Sequence, residues 1–275
     1  MVNKINPRAK NLTYFFTLKR LPIFVSFDII CAMEKVTVTK QLLDNFKSNP
    51  LTLILHGYLT AMPNTCLYES GNSYATVTHN GRFFECTIAT DDLAFVDEFV
   101  GGFTDCYAEF RMITPQIANH LAQKYQFGYR TTCGFYVWNG KPLTHVCQGD
   151  LRKMSPDFAD LVANGTDYAT KEDVIELLNM HPSSALYVDD KPVCWCLLHL
   201  EKSLGMLYTL PEHRKKGYAL DVMTHLTNQV IRSGDIPYAT IVKGNIPSQN
   251  LALKYQLQYV CDVDYVAIDF TKQCK

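Results

Sequence analysis

The segment Arg214-Lys215-Lys216-Gly217-Tyr218-Ala219 constrains the chain more than any other stretch. It follows the apolar, strand-like run Met206-Leu207-Tyr208-Thr209-Leu210 and opens an amphipathic stretch. Its pattern, R-x-x-G-x-A, turns backbone N–H groups and cationic side chains toward one point at a helix start. Free amides and the positive end of the helix dipole make that point an anion site, suited to a pyrophosphate. A glycine there lets the backbone approach phosphate oxygens without an intervening Cβ. Six residues alone are weak evidence, because a basic turn before a helix is more often a solvated surface. The surrounding order is more specific. Spacing predicts a helix over 217–233, with Tyr218, Val222, Met223, Leu226, Val230 and Ile231 on one stripe. Ser233-Gly234 ends it, and an apolar run follows from Pro237 to Val242. Then come Asn245, Ser248, a further helix ending in Lys254–Tyr259, and a last strand over 265–270.

On these residues the segment from about Met154 onward resembles the GNAT superfamily of acyl-CoA-dependent N-acyltransferases, whose pyrophosphate loop has the R-x-x-G-x-A form. Ser155-Pro156, Leu161-Val162, the strand Pro192-Val193-Cys194-Trp195-Cys196-Leu197 and Thr209-Leu210-Pro211-Glu212-His213-Arg214 resemble the glycine N-acyltransferase branch more narrowly. The narrower match covers nearly half the chain, and the N-terminal half only faintly.

The resemblance implies an α/β fold with a mixed, splayed central sheet flanked by helices. Acetyl-CoA or a longer acyl-CoA is then the co-substrate, and the acceptor is the amine of glycine or another small amino acid. The cofactor would lie against Leu207, Tyr208, Thr209 and Leu210, the loop residues Arg214, Lys215, Lys216, Gly217, Tyr218 and Ala219, and Asn245 and Ser248. Asn245 and Ser248 would bond the pantetheine or cap the helix, and capping alone accounts for Ser248. Direct attack on the thioester needs a base, since a free amino group is mostly ammonium at neutral pH. The branch carries a glutamate where this chain has Ser203. Glu201 would share a face with Ser203 in a continuous strand and substitute for that glutamate, whereas a hairpin turn there would leave it solvated. His199 is the next candidate, though a lone histidine in an apolar strand is more often a core residue. His213 and Glu212 are expected to face solvent. The superfamily's thiolate-protonating tyrosine falls near Tyr255, for which packing is the favoured role. Two alternatives stay open: N-acetylation of a protein or small amine, and acyl-CoA binding without catalysis.

Composition narrows the partners. A net charge of −1 gives no reason to expect nucleic acid or membrane binding, and a monomer is expected. The ten cysteines show no metal-ligand spacing, so they read as reduced and no metal is expected. Cys194 and Cys196 would share one face of a strand. Residues 1–32 are basic until Asp28. They read as a targeting segment, a strand of the first domain, or an extension ahead of Met33, and the compartment as mitochondrial or cytoplasmic.

An internal echo bears on domain organisation. Leu121-Ala-Gln-Lys-Tyr-Gln-Phe-Gly-Tyr129 and Leu251-Ala-Leu-Lys-Tyr-Gln-Leu-Gln-Tyr259 agree at six of nine positions, 130 residues apart. A duplicated GNAT-like unit would place its last helix at each. The expectation is therefore a degenerate GNAT-like domain over 33–145 and an acyl-CoA-binding catalytic domain over 146–275, joined near Asn139-Gly140-Lys141-Pro142. The same offset carries the anion loop back to Phe84–Ala89, where Glu85 would repel a phosphate. A single unrelated α/β domain in the first half is the other reading. In the second half, Thr170 should start a helix that His181-Pro182 ends. Two apolar runs around Asp189-Asp190-Lys191 should form a hairpin.

Overall fold

The structure is a computed structural model and describes residues 33–272. The expectations for residues 1–32 lie outside the described residues. The chain divides into two compact units: one holds residues 134–261, the other the described residues up to 133 together with those from 262 onward. Against the expected division at 145/146, the second unit begins at Gly134, and the residues from Asp262 onward group with the N-terminal unit.

The N-terminal unit runs α1 (Lys40–Ser48), α2 (Leu53–Ala61), β1 (Cys66–Ser70), β2 (Ser73–His79), β3 (Phe84–Ala89), α3 (Leu93–Gly101), β4 (Tyr107–Ile113), α4 (Pro115–Leu121) and into β5 (Phe127–Trp138). Its strands lie in the order β1-β2-β3-β4, with the end of β11 (Leu257–Asp269) beside β4. The sheet is mixed: β3 pairs parallel to β4, and the other registered pairs are antiparallel. Phe95, Phe99, Phe103 and Phe110 fill its core.

After the short strand β6 (Asp150–Arg152), the second unit repeats that order. It runs α5 (Ala159–Asn164), α6 (Lys171–Met180), β7 (Ser184–Val188), β8 (Lys191–Leu198), β9 (Leu204–Thr209), α7 (Tyr218–Arg232), β10 (Tyr238–Val242), α8 (Ile246–Lys254) and β11. The echo at offset 130 therefore marks the same passage twice, from α4 into β5 and from α8 into β11. The two final strands start 130 residues apart, at Phe127 and Leu257.

Local chemistry explains the boundaries. The Thr170 hydroxyl accepts the Asp173 amide while the Asp173 carboxylate accepts the Thr170 amide, a capping box that starts α6. Asp189 and Asp190 both hold positive φ, at 49° and 57°, which is the turn that joins β7 to β8 without splaying them. Helix α7 buries Val222, Met223, Leu226 and Val230 on one face.

The anion loop's counterpart in the first unit differs from the one the fixed offset gives. Phe84–Ala89 is the strand β3, and the strand-to-helix connection is Thr90–Asp92. The spacing between strand and helix changed between the copies, so a constant offset slips there. Glu85 is buried in β3 and bonded to Tyr58, Asn80 and Arg111. The group that fills the helix start is Asp92, whose carboxylate accepts the Ala94 and Phe95 amides of α3.

Candidate active site

The site belongs to the second unit and begins with two strand edges. β9 ends the sheet β6-β7-β8-β9, while β10 lies outermost in the other sheet, beside β5. The two edges are not hydrogen-bonded to each other, so each presents backbone groups to the gap between them. A cavity of about 420 Å³ lies there, walled by Leu204–Leu207 of β9, Ala239–Val242 of β10, Asn245, Ser248 and Ala252 near α8, and the loop Gly165–Tyr168.

A bulge shapes β9. Trp195 pairs with Tyr208 and Leu197 with Gly205, so two residues lie between on β9 against one on β8. Met206 within the bulge has φ 49°, and its backbone amide meets the Tyr168 hydroxyl. Bulges turn backbone groups out of the ladder, and this one turns an N–H toward the cavity. No spacing rule reveals it, because the bulge is set by pairing with β8.

Beyond β9, Pro211–His213 form a single 3-10 turn, Lys215 takes φ 63° and Gly217 takes φ 87° at the N-cap of α7. Nothing lies within 4 Å of a Cβ built on Gly217, so the glycine is required by its left-handed conformation and not by crowding. Gly217 provides no side-chain cap. The first intrahelical bonds come from Leu220 and Asp221 to the Gly217 carbonyl, which leaves the Tyr218 and Ala219 amides ahead of them. Lys215 and Lys216 are exposed beside these amides. Arg214 folds back: its Nε donates to the Thr209 carbonyl at 3.0 Å, and its guanidinium lies 5.5 Å from the Tyr208 ring centre. Tyr208 in turn stacks on Trp195. His213 departs from the expected solvent-facing position: its ring stacks on Tyr218 and its Nδ1 is buried.

The candidate catalytic residues separate. Glu201 and Ser203 lie in the turn between β8 and β9, yet both are buried; Ser203 Oγ donates to Glu201 Oε1 at 2.6 Å. The turn expected to solvate Glu201 thus folds its carboxylate inward. Tyr238 donates its hydroxyl to the Glu201 carbonyl, and Glu201 Oε2 is buried without a hydrogen-bond partner. Neither residue is among those walling the cavity, whereas His199, Tyr168 and Asp167 are. Tyr255 packs in the core against Leu226 and Leu257, and burial pushes its hydroxyl well above the usual tyrosine range, an effect the neighbouring Thr224 and Thr227 partly offset. Asn245, at the cavity wall, caps α8 by accepting the Ser248 amide at 3.3 Å, so the cap is Asn245 and Ser248 supplies the donor.

Among the described residues the cysteines are free, Cys194 and Cys196 are buried in β8, and no cluster of His, Cys, Asp and Glu could hold a metal. No described helix is long and apolar enough to cross a membrane.

Residues 190–260, which contain the β9 edge, the glycine loop and α7, match the FR47-like protein family. Solved structures share the wider fold. A Drosophila protein superposes with a TM-score of 0.68 at 11% identity, covering 88% of this chain and all (100%) of its own. A GCN5-related N-acetyltransferase from Kribbella flavida gives 0.52 at 14% identity, covering 79% of this chain and 93% of its own. The chain has the GNAT fold. A GCN5-related N-acetyltransferase-like protein from Streptococcus suis adds a TM-score of 0.51 at 11% identity, over 83% of this chain and 97% of its own. No protein of curated function matches the chain in sequence. Within the GNAT fold the gap between β9 and β10 is the splay of the central sheet, and the uncapped start of α7 stands where the strand before the gap ends.

Proposed function

We propose that residues 134–261 transfer an acyl group from a coenzyme A thioester to an amine. The observation that carries this reading is the cavity between two unpaired strand edges, followed by a helix start with no side-chain cap. The pyrophosphate is held by the amides at Tyr218 and Ala219 with Lys215 and Lys216 beside them. The pantetheine arm runs along β9 past Leu207–Leu210 as an added strand, and Asn245 and Ser248 border it. Arg214 shapes this loop through Thr209 and Tyr208 instead of reaching freely toward the anion.

The amine nitrogen attacks the thioester carbonyl, forming the C–N bond, and the C–S bond then breaks to release the thiolate, which takes up the proton that His199 has removed from the amine. The Met206 amide, turned out by the bulge and paired with the Tyr168 hydroxyl at rest, stabilises the oxyanion once the thioester oxygen takes that hydroxyl's place. His199 takes the amine proton, because its imidazole lines the cavity while Glu201 and Ser203 lie off that wall. Those two order the turn from which His199 projects. The buried Tyr255 has no part in protonating the thiolate. By the resemblance of its strand and loop, the branch is that of the glycine N-acyltransferases.

One observation favours a second reading, acyl-CoA binding without turnover: Ser203 replaces the branch's glutamate, and Glu201 does not reach the wall. Incubation with acetyl-, butyryl- and benzoyl-CoA across an amine panel, following free thiol, separates the two. Thiol release dependent on an amine supports transfer; CoA binding without release supports the second reading.

A further inference from the structure

The acyl-transfer reading leaves the acceptor open, and the cavity wall carries information about it. A free amino acid brings a carboxylate that must be paired once it enters a partly desolvated site. The end of the cavity at the start of β9, away from the glycine loop, is formed by Asp167, Tyr168, His199 and Gly205. No lysine or arginine is among the described residues that wall the cavity, and Asp167 is the one carboxylate there. Two basic groups of the strand-and-loop region are committed elsewhere: Lys202 pairs with Asp235 at 3.2 Å, and Arg214 is bonded to Thr209.

Behind this end lies Glu201, 3% exposed, with Oε2 buried and without a partner. The wall of the cavity thus carries one carboxylate, Asp167, with no lysine or arginine beside it among the described residues. A substrate carboxylate would be repelled there, and an ammonium group would be attracted.

We infer that the acceptor is a small aliphatic diamine without a carboxylate, one nitrogen facing His199 as the free base and the other held as ammonium by Asp167. The inference rests on the acyl-transfer reading, and it departs from the amino-acid acceptor that the glycine N-acyltransferase resemblance implies. A short linear chain fits a cavity of about 420 Å³ that the acyl group and pantetheine end also enter. Because Asp167 is exposed, the added ion pair is modest.

The test uses the full chain with acetyl-CoA and compares glycine, propylamine and 1,3-diaminopropane at equal free-base concentration, reading thiol release. The expected order in kcat/KM is diamine, then propylamine, then glycine, with the diamine ahead of propylamine by about five-fold, as for an exposed ion pair. Asp167→Asn should shrink that ratio toward one, and Asp167→Lys should move preference toward glycine, with CoA affinity reporting that each variant is folded. Glycine outrunning the diamine in the wild type, or a ratio indifferent to Asp167→Asn, overturns the acceptor assignment and leaves acyl transfer standing. CoA binding with no thiol release for any amine overturns acyl transfer, and this assignment with it.

Discussion

The imidazole of His199 occupies the space that a β-carbon on Gly205 would need: Nε2 stands 1.8 Å from that position and Cδ2 2.3 Å. Gly205 pairs with Leu197 across β8 and β9, so strand pairing sets this glycine directly beneath the ring. The contact holds the imidazole against the cavity wall. Gly205→Ala must push the ring away, and the flexible side chain yields more readily than the strand. The expected result is a folded protein with normal CoA affinity and a lowered kcat. His199→Ala should lower kcat comparably, and the double variant should add little beyond either alone, since both remove one placement. Additive losses in the double-variant cycle would separate Gly205 from His199.

Tyr255→Phe tests the protonation role from the other side. The Tyr255 hydroxyl is buried and has no hydrogen-bond partner within bonding geometry. An unsatisfied buried hydroxyl costs about 1–3 kcal/mol, so its removal should leave stability unchanged or improved. Turnover should stay within about two-fold, less than the 1.4 kcal/mol that marks a tenfold change. A hundred-fold fall in kcat with an unchanged melting temperature would return Tyr255 to the chemistry.

Much of the second unit was legible because its signals are local. The capping box at Thr170, the paired aspartates at 189–190 and the apolar stripe of α7 each need only a few neighbouring residues. The repeat was legible in one nine-residue echo, since the passage from helix into final strand kept its length in both copies. What stayed hidden depends on strand pairing and side-chain direction, which residue spacing does not encode. The bulge at Met206 is set by β8, and the inward turn of Glu201 by Ser203 and Tyr238. Asp167 and Tyr168 reach the cavity because the loop after α5 comes over β9, which no spacing on the loop announces. The histidine at 199 looked like a core residue in an apolar strand; the turn that follows brings it to the wall instead.

Gly217→Ala probes the helix start. With φ at 87° and open space around a built Cβ, the cost is backbone strain alone, about 1–2 kcal/mol. Relief of that strain would move the Tyr218 and Ala219 amides, so CoA should bind more weakly by calorimetry. Lys216→Ala, which leaves the turn intact, should weaken CoA binding with a reduced salt dependence and little change in melting. Arg214→Ala should weaken binding as well, through the lost bond to Thr209 and the lost packing on Tyr208. Unchanged affinity in all three variants would remove the loop from the cofactor site.

Stability should fall on mild acidification, and His181 identifies one source. Its ring is buried beneath the turn that carries Glu201 and bonds the Leu200 carbonyl at 3.3 Å. Burial lowers its pKa below 6.5, Lys202 adds to that, and the Leu200 carbonyl, Glu201 and Asp235 oppose it. His79 and His225 are lowered as well, both chiefly by burial. A histidine whose folded pKa is depressed binds its proton more tightly when unfolded. The stability it contributes is therefore present above pH 6.5 and is lost as the pH falls from there through the folded value. Urea unfolding at intervals between pH 7.5 and 5 should show midpoints that decline below about 6.5. His181→Gln keeps a donor for Leu200 and cannot take up a proton, so its decline should be shallower than that of the wild type. A wild-type midpoint that is flat across this range, or a variant that declines as steeply, would place the acid sensitivity outside His181.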